Sequence, residues 1–208
     1  MSDASAIAVV ADADTLFGGT TRGLLIHLDY EGLIELHWSA LILDEMSRAL
    51  VRSKRQRDLQ HAAAHEAIMR HSLPNAEVDA AAIRLSLPKA LDAVRSPKDA
   101  HVAACALRVR ASVMTLGGDV VALLSKNLKD FRAQRLVDLG VRLEHPDAFL
   151  SRLFASHPAR VARAVRKYRS PLRSGEAIST TLERLALDGQ LQTALMLDCA
   201  MQAGDIDL

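Results

Sequence analysis

The sequence is short of several things. Only two cysteines occur in 208 residues, Cys105 and Cys199, and no CxxC or Cys/His spacing lies near either, which excludes a disulfide framework and a cysteine-based zinc site. Each stands in an Ala/Leu-rich helical pattern (VAACAL and MLDCAM) and reads as a small core hydrophobe of a reducing compartment. The opening MSDASAIAVVADAD has no basic n-region, and an aspartate soon interrupts its apolar stretch. Neither a signal peptide nor a membrane span is therefore expected, and the cytoplasm is the expected compartment. Internal repeats and low-complexity tracts are missing as well. Net charge is almost absent: 26 Lys and Arg against 25 Asp and Glu leave +1, a total that argues neither for nor against nucleic acid, because binding depends on where charge sits.

What is present fits a folded, water-soluble protein, with half of the residues apolar and a quarter charged. The length allows one domain of ordinary size and a smaller appendage. IAVVAD has the β-branched, apolar look of a buried parallel strand that ends at Asp12. TTRGLLIHLDYEGLIEL then reads as a helix with a start signal at Thr20 or Thr21 and Gly32 helping to end it. Ser39 is a plausible N-cap for ALILDEMSRALVRSK, which puts Glu45 in the second turn beside a solvent-facing Asp44. DLQHAAAHEAIMRHSL reads as a further helix, and Pro88 and Pro97 punctuate the stretch beyond it. Ser96-Pro97 sets up a helix start with Asp99 in its first turn, where the helix dipole favours a carboxylate. After Gly117 and Gly118, DVVALLS is a second strand and LGVRLEHP a third. Strands alternating with helices predict an α/β fold with a central, mainly parallel sheet flanked by helices. Near residue 150 the composition turns to helix formers and basic residues, so the expected division is a domain over 1–150 and a small C-terminal all-helical extension over 151–208.

Acidic residues recur at element ends: Asp12 and Asp14, Glu45, Asp99 and Asp130. In a parallel α/β sheet such positions converge on the carboxyl edge, where ligands bind. Carboxylates held close together need a cation or a retained proton, and for hard oxygen donors the natural cation is Mg²⁺ or Mn²⁺. A divalent ion so held activates water and neutralises a phosphodiester oxygen, so phosphodiester hydrolysis is the expected chemistry.

These residues carry a resemblance. VVADADTLF resembles the first motif of PIN domains (Asp12 and Asp14), SALILDEMSRAL the second (Glu45), SPKDAHVAACAL the third (Asp99) and LLSKNLKDF the fourth (Ser125, Asn127 and Asp130), while LGVRLEHPDAFL is similar to the family's usual end. All motifs stand in order over roughly residues 6–150. Within the family the chain looks most like VapC-type toxins of type II toxin–antitoxin systems with a C-terminal helical extension. The resemblance implies a PIN-like three-layer fold and a Mg²⁺- or Mn²⁺-dependent endoribonuclease. Asp12, Asp99 and Asp130 would hold the metal, Glu45 would complete the cluster, and Asp14, Ser125 and Asn127 would support it. It further implies an RNA substrate, a cognate antitoxin protein and a homodimer. The chain departs from the family at Asp14, where Asn is more usual. Asn127 and Asp130 both suit the fourth metal position, and the charge of Asp130 favours it.

Other features carry ordinary readings. His61 and His65 lie i, i+4 on one helix face, a spacing that suits zinc, but neither they nor His71 belong to an HExxH or meet a third partner at metal spacing, so they read as surface histidines. Trp38 and Phe154 suit a core or an interface equally. From Arg152 to Arg173 the chain carries seven Lys/Arg and no Asp/Glu. In ARVARAVRKYR, Arg160, Arg163 and Lys167 fall on one face with Arg166 and Arg169 on another, which fits a solvated helix and an RNA contact about equally. VRSKRQRD gathers Arg52, Lys54, Arg55 and Arg57, a second segment suited to phosphate. Two rivals stand beside the toxin: a PIN nuclease of RNA maturation or turnover with no antitoxin, and a non-catalytic RNA-binding module.

Overall fold

The computed structural model of the protein describes residues 6–115, 120–170 and 176–208. Gly117 and Gly118, which precede the second expected strand, lie outside the described residues. Five parallel strands form one sheet in the order β3-β2-β1-β4-β5, made of β1 (Ile7–Ala11), β2 (Ile34–Ser39), β3 (Glu77–Val78), β4 (Val121–Leu124) and β5 (Val141–Glu144). Helices flank it, so the α/β class and the parallel sheet hold. The apolar runs of β1 and β4 are buried almost throughout, as central parallel strands require.

The strand β2 departs from the expectation. The apolar residues of α2 (Gly19–Tyr30) continue through Leu33, Ile34 and Leu36 at spacings a helix also uses, so the sequence shows no strand there. Gly32, at φ +65°, closes α2 as expected: its N–H reaches Asp29 O and the N–H of Leu33 reaches Leu28 O, the paired bonds of a Schellman end. The chain then leaves as a strand with Ile34, Leu36 and Trp38 inward and Glu35 and His37 between them. The two-residue β3 and the short α1 (Ala13–Phe17) are likewise not legible in the sequence.

Other expectations hold or shift locally. Ser39 ends β2 and caps α3 (Ala40–Arg52), its Oγ accepting from Ile42 N at 3.2 Å. Asp58 caps α4 (Leu59–Ser72). Pro88 does not break the chain but stands inside α5 (Ala80–Leu91), in its last turn. Ser96-Pro97 opens a 3-10 turn over Pro97–Asp99 that runs on into α6 (Ala100–Thr115). The chain continues with α7 (Ala133–Asp138), α8 (Pro146–Ser156), α9 (Pro158–Arg169), α10 (Ile178–Leu187) and α11 (Leu191–Gln202). Trp38 and Phe154 are core residues, at 0% and 5% exposure.

Cys105 is buried in α6, but Cys199 is not the core residue expected. It sits on the outer face of α11 with Leu191 and Leu195, while Thr193, Ala194 and Leu197 turn inward. α8 crosses position 150 without a break, and α9–α11 continue the hydrophobic core of the α/β part through Val161, Ala164, Leu182 and Leu197. α9 lies so close on α2 that a methyl group added at Gly23 would come within 2.2 Å of the Tyr168 ring. No helix among the described residues is long and apolar enough to cross a membrane.

Candidate functional site

The strand order turns at β1. The connection from β1 leads outward to β2 and β3, whereas the next crossover returns to β4 on the other side. Right-handed crossovers place α2 and α6 on opposite faces and leave a crevice between the carboxyl ends of β1 and β4. Asp12 follows β1 directly and caps α1; Ser125 follows β4 directly. Glu45 enters from the second turn of α3, and Asp99 from the turn that opens α6, whose N-terminal end lies at the same edge. An antiparallel bridge, Val94 with Phe131, with bonds from Arg95 N to Asp130 O and from Arg132 N to Ala93 O, ties the approach to Asp99 to the segment carrying Asp130.

The structure places the acids in two groups that share Glu45: Asp12 feels the charges of Asp14 and Glu45, and Asp99 those of Asp130 and Glu45. Asp12 Oδ1 accepts from Ala13 N at 2.6 Å and Oδ2 from Ser125 Oγ at 2.8 Å. Even so, burial, helped by the charges of Asp14 and Glu45, pushes its carboxyl from 3.8 up to about 7. Burial also raises Asp99; Asp130 and Glu45 add to the rise, against Lys98 and His101. Asp99 Oδ2 is buried with no hydrogen-bond partner. Glu45 is half-exposed and faces His101 Nε2 at 3.5 Å, the ring being oriented by its Nδ1–H to Lys98 O. Asp44 pairs with Arg48 along its own helix.

Asp14 has a different environment. Its carboxylate accepts from Lys126 N, Asn127 N, Ser125 Oγ and Thr15 Oγ1, so it clamps the loop after β4. The Ser125 hydroxyl, fully buried, is shared between Asp12 and Asp14. Asn127 borders the adjoining cleft.

That cleft has a volume of about 670 Å³ and is bordered by Asp14, Phe17, Glu45, Arg52, Lys126 and Asn127. Acidic and basic side chains are mixed along it, with Glu45 and Arg52 both from α3 and Asp14 bonded to the backbone of Lys126. Arg52 belongs to the basic segment read from the sequence, but Lys126 and Phe17 were missed, although Lys126 stands inside LLSKNLKDF between two residues singled out there. His101 was missed too, two residues beyond Asp99.

Among the described residues no three His, Cys, Asp or Glu side chains form a ready metal cage. The donor set nevertheless fits a hard cation. Mg²⁺ keeps several waters and takes only one or two protein carboxylates, and a carboxyl raised to about 7 at Asp12, together with the buried, unpartnered oxygen of Asp99, suits donors that a cation would compensate. The histidines offer no rival site: His61 Nδ1 bonds Asp58, the cap of its own helix, at 2.8 Å.

The basic face of α9 is not brought to the acids. Arg163 and Lys167 pair with the enclosed Glu31 carboxylate at 2.6 and 2.8 Å, and Arg160 donates to Glu31 O. Glu31 caps the end of α2 beside the N-terminal ends of β1 and β2, the far edge of the sheet from Asp12. Arg166 pairs with Asp207 at 3.2 Å. No family model matches the chain, and neither a curated protein nor a solved structure matches it.

Proposed function

We propose that this chain is a divalent-metal-dependent endoribonuclease of PIN type, the toxin of a VapBC-like pair, acting with a cognate antitoxin and as a homodimer. The observation that carries the chemistry is the group of under-compensated carboxylates at the β1/β4 crevice, with Asp12 held near 7 and Asp99 Oδ2 unpartnered. RNA as substrate, the antitoxin and the dimer rest on the resemblance of the four motifs.

In this reading Asp12, Asp99 and Asp130 hold Mg²⁺ or Mn²⁺. The bound ion lowers the pKa of its water and draws charge from a phosphodiester oxygen. Glu45, half-exposed on the cleft wall, orients the attacking water and accepts its proton. Ser125 fixes the Asp12 carboxylate through its 2.8 Å bond. Lys126 and Arg52 supply the positive charges along which the charged backbone lies. Arg160, Arg163, Arg166 and Lys167, turned to Glu31 and Asp207, are left to docking the C-terminal helices.

The test is cleavage of RNA by the wild type and by Asp12→Asn and Asp99→Asn, with Mn²⁺ binding followed by calorimetry. Loss of cleavage by about 10²-fold or more together with weakened Mn²⁺ binding is expected. Unchanged cleavage in both variants would sink the assignment, and a wild type that binds RNA but not Mn²⁺ would favour the non-catalytic module. Growth arrest relieved by the product of a neighbouring reading frame separates a toxin from a nuclease of RNA turnover.

A further inference from the structure

One residue of the C-terminal helices meets a cation of the cleft, Lys126, from the far end of the chain. Asp188 ends α10, and its side chain is 8% exposed. Its Oδ2 accepts from Thr20 N at 2.8 Å and Thr21 N at 3.0 Å, the first-turn donors of α2. Gly18, the N-cap of α2, has no side chain with which to do this. The fit is mutual: a methyl group at Gly18 would lie 2.7 Å from Asp188 Cγ.

Asp188 also holds cations. Its carbonyl accepts from Lys126 Nζ at 2.5 Å, and its Oδ1 faces Arg55 NH1 at 3.9 Å. The Arg55 guanidinium in turn lies over the Phe17 ring, 4.5 Å from its centroid. Phe17 and Lys126 both border the acidic cleft. Asp188 thus joins the docking of α10 on α2 to one cation that borders the cleft, Lys126, and to a second, Arg55, stacked on the cleft residue Phe17.

We infer that Asp188 is a positioning residue for substrate: it holds Lys126 and Arg55 at the cleft so that they meet the phosphates of a single-stranded RNA flanking the scissile bond. This rests on the nuclease reading. By it, the C-terminal helices position positive charge at the site, although the basic face of α9 does not take part.

The experiment uses the full chain. Asp188→Asn keeps an amide oxygen for the two α2 donors and removes the charge, while Gly18→Ala pushes the carboxylate aside without altering it, at an ordinary backbone φ of −68°. Both should raise KM for a short single-stranded RNA by roughly tenfold, as loss of one to two phosphate contacts does, with kcat changed less than about threefold. The slope of log binding against log salt, measured on an uncleavable 2′-O-methyl oligomer, should fall by roughly 0.7–1.4. Adding Asp188→Asn to a Lys126→Met/Arg55→Met background should cost nothing further. Amine labelling should find Lys126 shielded in the wild type and in Asp188→Asn, which leaves the tethering carbonyl in place, and reactive in Gly18→Ala, which displaces Asp188 bodily. A lower melting temperature with unchanged KM and salt slope, or effects that multiply with those of the double variant, overturns the inference. If the wild type cuts no RNA, the nuclease reading fails, and the labelling still decides the tether: unaltered Lys126 reactivity in Gly18→Ala refutes it.

Discussion

Asp12 predicts an unusual trade of stability against function. Its carboxyl sits at about 7 in the folded chain against 3.8 ordinarily, because of burial and the charges of Asp14 and Glu45. The folded state therefore holds the proton more tightly than the unfolded state, and stability falls as pH rises from about 4 to about 7, the penalty being complete above that. Full conversion of the shift gives about 4 kcal/mol; since Asp12 keeps some contact with solvent, about 2–4 kcal/mol is expected. Asp12→Asn removes the charge but leaves an oxygen to accept from Ala13 N. In the presence of a chelator at pH 8 the variant should melt roughly 5–15 °C above the wild type. By pH 5 the advantage should shrink to less than about half, since the wild type then carries the proton. Mn²⁺ at about 100 times its dissociation constant should return about 2.7 kcal/mol to the wild type and little to the variant, narrowing or reversing the order. Scanning calorimetry across pH, with and without metal, reads all of this. If the two proteins melt together from pH 5 to 8 in chelator, the argument from uncompensated charge is refuted.

Two further outcomes concern the docking of the C-terminal helices. Burial alone would raise the Glu31 carboxyl, but Lys167 and Arg163 hold it below its ordinary range, so its stabilisation is present above about pH 4.5 and disappears as pH falls through the lowered value. Glu31→Gln should cost about 1–2 kcal/mol at pH 7, less than a fully buried pair because Arg163 and Lys167 are half-exposed, and should flatten the acid limb of the stability curve; a chemical-denaturation series against pH checks both. Gly23→Ala sets a helix-propensity gain of about 1 kcal/mol against overpacking on Tyr168 at 2.2 Å, which costs typically ~1–3 kcal/mol. Net destabilisation in urea is expected, and a gain in stability would show that α9 is free to move off α2.

The parts of the fold legible in the sequence are those fixed by local pattern. β1 and β4 announce themselves because strands covered on both faces are uninterrupted apolar runs. Ser39 and Gly32 mark real helix ends because a cap is a short-range device. The strand β2 is hidden because Leu33, Ile34 and Leu36 prolong the apolar spacing of α2, and only the left-handed turn at Gly32 separates the two. Cys199 reads as a core residue because the composition around it is apolar, yet α11 buries one face only and shows Leu191, Leu195 and Cys199 outside.

The candidate site divides in the same way. Asp12 follows a strand, Asp99 opens a helix, Glu45 lies one turn into a helix and Asp130 in the loop after a strand, and parallel topology carries such positions toward the carboxyl edge of the sheet, so much of their placement follows from order in the chain. What sets their charge state does not. Asp14 looks like a fifth member of the cluster but spends its carboxylate on the backbone of residues 126 and 127. The cations about the cleft are held from elsewhere: Arg55 across the ring of Phe17 and Lys126 by the carbonyl of Asp188. The basic run of α9, the most conspicuous charge pattern in the sequence, is consumed by Glu31 at the opposite edge. A run of like charge invites a phosphate in sequence because its countercharge is invisible there; a single buried acid more than a hundred residues away in the chain is enough to give it a structural use, whereas the cations that border the cleft are Arg52, from the shorter basic segment, and Lys126, which belongs to no basic run.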